Sequence, residues 1–236
     1  MASRPLSTST QGNAFDHRPF HLRPIVVCIC GMLASGKSTL VHALAQHWLG
    51  SPILAFDEYA QHATWPSNMQ KWLQDGADPE QVSNRRLHDD LAALIDGREA
   101  LHPLTGITLA PAPLVLLEDP FGRTRPDIAA CIDHVLFIDI PTDVSIIRLV
   151  QRTLALSATR SSRTAAATSD ARAAERIDEV LQWLNHYLAH RDMYTSPQLI
   201  EPIRDSSDVV LSGDGAPSTV KEDAVFHIEQ WMKAGT

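Results

Sequence analysis

An α/β fold, with a five-stranded parallel sheet flanked by helices, is the architecture this sequence predicts. Five short apolar runs have the length of buried strands, and segments with helical apolar spacing lie between them. A glycine-bounded break also separates the first run from the first helical segment, in "IVVCICGMLASGKSTL", residues 25–40. Strands that alternate with helices need crossover connections, and crossovers give parallel pairing with both sheet faces covered.

The first strand is expected at Ile25–Cys30, and a helix follows over Lys37–Leu49. The second strand, Pro52–Asp57, ends on a carboxylate. A helix covers about Ser83–Ile95. Leu101–Pro113 holds three prolines and a glycine and reads as a loop or a small excursion from the sheet. Strands return at Leu114–Glu118 and His134–Ile140, with a helix over Asp143–Ala155. The stretch "SATRSSRTAAATSDARAAER" has few large apolar residues and four arginines, so it cannot pack a core of its own. It is read as a mobile helical lid over about 153–176, with a helix resuming near Ala171 and running to Arg191. The last strand is Asp208–Ser212 and the last helix Thr219–Met232.

The 236 residues, 44% of them hydrophobic, suit one sizeable core, so 24–236 reads as one domain including the lid. Residues 1–23 are rich in Ser, Thr, Pro and Arg and read as a disordered N-terminal tail without a secretion signal's apolar centre. The net charge of -8 argues against non-specific nucleic-acid binding. No apolar run approaches the ~20 residues that cross a bilayer. The three cysteines, Cys28, Cys30 and Cys131, sit in or beside apolar runs. They read as reduced, buried thiols of a cytoplasmic protein rather than a metal site. A homo-oligomer is left open.

The break after the first strand carries the chemistry. Residues 31–38, Gly-Met-Leu-Ala-Ser-Gly-Lys-Ser, match G-x-x-x-x-G-K-[ST] between a strand and a helix, which is the phosphate-binding P-loop in its required context. Glycines let the backbone wrap a phosphate chain, and the helix start adds partial positive charge. Gly31, Ala34, Ser35, Gly36, Lys37, Ser38 and Thr39 are therefore expected to cradle a nucleoside triphosphate in a P-loop NTPase fold. Lys37 would reach the β and γ phosphates, and Ser38 would ligate Mg²⁺.

Asp57 at a strand end could take a proton from an attacking hydroxyl or serve the metal. Glu118 and Asp119, after the next strand, could also hold the metal. Asp119-Pro-Phe-Gly122 fits the D-x-x-G of GTP switches, but the chain has no Asn-Lys-x-Asp to read guanine. Tyr59, His62 and Trp65 either line an acceptor pocket or pack a loop. His186 and His190 lack the Glu of a zinc motif and read as packed or solvated. Trp183, Leu184, Tyr187 and Leu188 form an apolar stripe suited to core or interface.

In order along the chain, "GMLASGKST", "FDEY", "LLEDPF", "DHVLFIDIPTDVSIIRLVQR" and "EPIRDSSDVVLSGDG" resemble the uridine kinase and phosphoribulokinase-like family of P-loop small-molecule kinases. The resemblance runs from about Pro24 to Met232 and implies an ATP- and Mg²⁺-dependent phosphotransferase. The acceptor it implies is the hydroxyl of a small metabolite: a nucleoside, sugar or vitamin-like alcohol. By this resemblance Asp57 is the base, and Ser38, Glu118 and Asp57 face the metal. Lys37, Arg148 and Arg152 stabilise the transferring group. Arg160 and Arg163 stand near a further lid arginine, His102 near a base-reading histidine, and Asp214 and Gly215 near the adenine. Thr153 replaces the family's Asp, no Arg-Gly-Arg follows, and the acceptor loop lacks a Tyr-Asp pair. These departures motivate the alternative of a non-catalytic nucleotide-binding regulator.

Overall fold

A computed structural model describes residues 23–161, 169–189, 191 and 195–234. In chain order its strands are β1 (Ile25–Gly31), β2 (Ile53–Ala55), β3 (Ala100–Leu101), β4 (Thr108–Leu109), β5 (Leu114–Glu118), β6 (His134–Asp139) and β7 (Val209–Ser212). Its helices are α1 (Lys37–His47), α2 (Met69–Gln74), α3 (Arg85–Ile95), α4 (Pro126–Ala129), α5 (Thr142–Ser161), α6 (Ser169–Ala189), α7 (Pro197–Asp205) and α8 (Pro217–Ala234). Five strands form one sheet in the order β2-β5-β1-β6-β7, and every pair in it is parallel. The expected architecture is therefore present.

The sheet separates two apolar layers because alternate residues of a strand face opposite ways. Val26, Cys28 and Cys30 of β1 pack with Leu87 and Leu91 of α3 and Ile203 of α7. Val27 and Ile29 pack on the other face with Val41 and Leu44 of α1 and Ala224 and Ile228 of α8. Both faces are covered, which is why β1 reads as a continuous apolar run. Burial pushes the Cys30 thiol up to about 12 and raises Cys28 as well, so both thiols stay protonated. Cys131 is only half-buried, short of the burial expected for it.

Several boundaries differ from expectation. β2 stops at Ala55, and the chain turns into a 3₁₀ helix over Phe56–His62. Phe56 and Tyr59, three apart, are both buried, and a three-residue turn is the geometry that puts them on one side. Asp57 thus lies on the first turn of that helix rather than on a strand. The proline-rich stretch after α3 takes the second of its two expected forms, a small excursion from the sheet, in which Ala100 pairs with Leu109 and Leu101 with Thr108. α5 runs to Ser161, past the expected end at Ala155, and packs against α6. Residues 1–22 of the expected 1–23 tail and residues 162–168 of the expected lid lie outside the described residues, whereas Arg23 pairs with Asp133. No helix among the described residues is long and apolar enough to cross a membrane.

A buried ion pair supports the edge of the sheet where the strands end. Asp119 and Arg125 are both fully buried and meet at 2.9 Å. Asp119 also accepts a hydrogen bond from the Phe121 amide at 2.9 Å. The Arg125 guanidinium lies 5.1 Å from the Phe56 ring centre and 5.9 Å from that of Phe121. Burial pushes the Asp119 carboxyl up to about 6, against the pull of Arg125. Asp119 was expected beside Glu118 at the metal edge. Successive residues of an extended chain point to opposite sides, so Glu118 faces the strand ends and Asp119 the core.

Two outcomes follow for stability. Asp119→Ala leaves the buried Arg125 guanidinium with the Asp127 carboxylate alone, at 3.4 Å, and should cost about 3 kcal/mol in denaturant unfolding, whereas pairing Asp119→Leu with Arg125→Met should restore most of it. A Cβ at Gly31 would meet the Ile138 carbonyl oxygen at 2.5 Å, with φ at +142°. Gly31→Ala should therefore cost more than ~1 kcal/mol, read from the shift in unfolding midpoint at constant slope.

Candidate active site

Strand register fixes the site. Glu118, the last residue of β5, pairs with Ile29 of β1 on one side and Ala55 of β2 on the other. Gly31 and Asp57 each lie two residues further on, so both stand just beyond Glu118. This is the carboxyl edge of a parallel sheet, where chain crossovers leave a crevice.

The loop after β1 turns through Gly31 (φ +142°), Ala34 (φ +55°) and Gly36 (φ +102°). Ala34 occupies the left-handed region, which is unusual for a residue with a side chain and needs support from its surroundings. α5 supplies much of it. The Ser145 hydroxyl donates to the Leu33 carbonyl at 2.6 Å, and the Arg148 guanidinium donates to that of Ser35 at 3.5 Å. Within the loop, the Ser35 amide donates to Met32 at 3.2 Å. Gly36 caps α1 without a side chain, and the first turn of α1 carries no acid. Its free amides and positive dipole end therefore meet no negative charge from their own helix.

Lys37 folds back over the loop. Its ammonium donates to the carbonyls of Gly31 at 3.2 Å and Met32 at 3.1 Å. Burial lowers its pKa from the ordinary value, while Glu118 and Asp57 pull it back up. The Ser38 hydroxyl donates to Glu118 Oε1 at 3.0 Å. Burial raises the Glu118 carboxyl, with Lys37 and the Ser38 bond opposing. A hydroxyl and a desolvated carboxylate in contact are hard oxygen donors of the kind Mg²⁺ takes in small number beside phosphates. A bound cation would reverse the burial effect on Glu118. Among the described residues no group of three or more His, Cys, Asp or Glu side chains forms a self-sufficient metal cage.

Two cavities open from this edge. One, of about 390 Å³, runs along Ala34–Thr39 and is bordered by Arg148, Arg152, Gly213, Gly215 and Val220. The other, of about 300 Å³, lies beyond Lys37, with walls that include Phe56, Trp65, Trp72, Phe121, Leu199 and Ile203. Lys37, Asp57 and Glu118 line both. The arrangement can hold an anionic chain on one side and a second small molecule on the other, with a carboxylate and an ammonium at the junction.

Other expected residues lie elsewhere. Tyr59 is fully buried and its hydroxyl donates to Asp90 at 3.1 Å, so it packs the 3₁₀ turn on α3 instead of lining a pocket. His62 is exposed beside Gln61, and neither cavity includes it. His102 is held by Glu58 at 3.0 Å and by the amides of Leu104 and Thr105, away from both cavities. Thr153 donates its hydroxyl to its own helix, at Leu149. Gly215 borders the first cavity but Asp214 does not. Tyr187 is buried against Trp183, whereas Leu188 is exposed. Arg163, His190 and the side chain of Arg160 lie outside the described residues.

The sequence reading missed α7 and therefore Leu199, Ile200 and Ile203. Ser196 followed by Pro197 was the available signal for a helix start, and Pro202 within the helix obscured it. It also missed Ser145 and Trp72, which nothing in the local pattern marks.

No protein-family model matches the chain. It is 26% identical over 144 residues to the uridine kinases of Bacillus mycoides (strain KBAB4) and Bacillus cereus (strain AH187), covering 55% of this chain and 67% of each of theirs. A gluconokinase structure from Sinorhizobium meliloti 1021 is 12% identical with a TM-score of 0.44, covering 90% of this chain and 96% of that one. The sheet order stands on the strand pairing itself. In sequence, this parallel α/β chain resembles the uridine kinases of the P-loop small-molecule kinase family.

Proposed function

We propose that the chain is an ATP- and Mg²⁺-dependent phosphotransferase whose acceptor is the hydroxyl of a small metabolite. The observation that carries this reading is the meeting of two cavities at Lys37, Asp57 and Glu118. Similarity to uridine kinases supports a small hydroxylated metabolite as acceptor.

On this reading the triphosphate lies along the amides of Ala34–Thr39 at the start of α1. Lys37 exchanges its loop carbonyls for the β and γ phosphate oxygens. Arg148 and Arg152 border the same cavity and face the charge that spreads over the transferring group. Arg160 and Arg163 remain candidates for a lid over the nucleotide. Ser38 and Glu118 would hold Mg²⁺, with Asp57 close by, and Mg²⁺ when bound offsets phosphate charge. Asp57 accepts the proton of the acceptor hydroxyl. The hydroxyl oxygen bonds to the γ phosphorus as the bond to the β,γ-bridging oxygen breaks, leaving ADP.

Asp57→Asn should lower acceptor-dependent ADP release by about 100-fold or more while leaving ATP affinity nearly unchanged, the scale of losing a general base. Lys37→Ala should weaken ATP binding itself, measured by calorimetric titration with Mg²⁺. Tight ATP binding with no turnover on any acceptor of a broad alcohol panel would replace the kinase reading with that of a nucleotide-binding regulator.

A further inference from the structure

We propose, resting on the phosphotransferase reading, that the second cavity selects an alcohol carried on an apolar, aromatic ring system and discriminates against polyhydroxylated acceptors such as sugars and ribonucleosides. Its charged side chains are gathered at one end, where Lys37, Asp57 and Glu118 serve the transfer itself. The remainder of the wall is aromatic or aliphatic, with Phe56, Trp65, Trp72, Phe121, Leu199 and Ile203 as its main surfaces.

The nearby polar side chains that might have read a sugar or a base are committed to one another. Trp72 donates its indole N–H to the Asp78 carbonyl at 2.8 Å and so presents only ring to the cavity. Tyr59 is bound to Asp90. Asn84 spends its amide on the Tyr59 carbonyl and the Leu87 amide. Arg125 is sealed beneath Phe56 and Phe121 and paired with Asp119.

Phe56, Trp65 and Phe121 pack against one another at ring separations of 5.9, 5.9 and 6.1 Å. Two of these contacts are edge-to-face and the third is tilted, and with the buried ion pair behind them they make a firm wall suited to a further ring. The volume, about 300 Å³, is at the lower end for small-molecule sites and suits a single ring system with a short arm. Each hydroxyl of a ribose or gluconate beyond the reacting one would lose water there without a new partner. An aromatic alcohol loses only apolar hydration, which favours binding. The hydroxyl arm then reaches Asp57 and the ring fills the far end.

The test uses the full chain with ATP and Mg²⁺, and compares 2-phenylethanol and indole-3-ethanol with uridine and D-gluconate. Acceptor-dependent ADP release should give kcat/KM for the aromatic alcohols higher by roughly tenfold or more, the factor that one unpartnered hydroxyl produces. Binding is read separately, by titrating the same four compounds in the presence of a non-hydrolysable ATP analogue. Trp65→Ala should weaken 2-phenylethanol binding about tenfold with ATP affinity unchanged, and Trp65→Phe should retain most of it. Preference for uridine or gluconate overturns the inference and leaves the phosphotransferase reading standing. Failure of both aromatic alcohols to bind, or Trp65→Ala binding as tightly as the parent, also overturns it. Saturable binding of an aromatic alcohol without ADP release supports the cavity's chemistry and counts against the phosphotransferase reading instead.

Discussion

The close approach of the Gly31 backbone to Ile138 is the constraint on which the rest of the site depends. β1 is hydrogen-bonded on both sides, to β5 and to β6, and its last residue still pairs within the sheet at Ile138. There is no room at that point for a side chain. The chain must therefore leave the sheet abruptly, with positive backbone angles at Gly31, Ala34 and Gly36, before α1 begins. That turn aims the start of α1 along the line of strand ends. It also brings Lys37 back over the loop carbonyls and Ser38 against Glu118.

From this placement the electrostatics follow. Lys37 and Glu118 are both desolvated, and burial moves each towards its neutral form while their mutual attraction opposes it. Such a pair sits in a balance that added charge would change. Phosphate oxygens would favour the ammonium, and a divalent cation would favour the carboxylate. The edge is thus arranged to gain more from charged ligands than an exposed, already solvated pair could. α5 completes the edge by clasping the loop through Ser145 and Arg148. A long-range contact of this kind holds Ala34 in a conformation that local preference disfavours.

The second cavity is shaped by a different layer of the structure. Its aromatic wall rests on Arg125 and Asp119, two charges removed from water together. Pairing meets part of the cost of burial and gives Phe56 and Phe121 a fixed base. α7 supplies the opposite wall through Leu199, Ile200 and Ile203. The charged junction and the apolar walls beyond it are therefore built by separate sets of residues.

The parallel sheet, its strand centres and the abrupt turn between β1 and α1 were legible in the sequence, because apolar continuity and glycine spacing are local signals. Glu118 was legible for the same reason, as the end of an apolar run. Of the second cavity's walls, Trp65 was legible as a candidate, and most of the rest was not. Tyr59, His62 and His102 have the chemistry of acceptor ligands, yet Tyr59 turns to Asp90, His62 to solvent and His102 to Glu58. Trp72, Leu199 and Ile203, which do line the cavity, come from segments far apart in the chain. Asp119 looks like a partner of Glu118 until strand alternation sends it to Arg125. The sequence by itself determined where backbone turns and periodic faces must occur, since these depend on residues within a few positions of one another. The tertiary structure alone decided which side chains face a common space, since that depends on how distant elements pack and which polar groups find partners first.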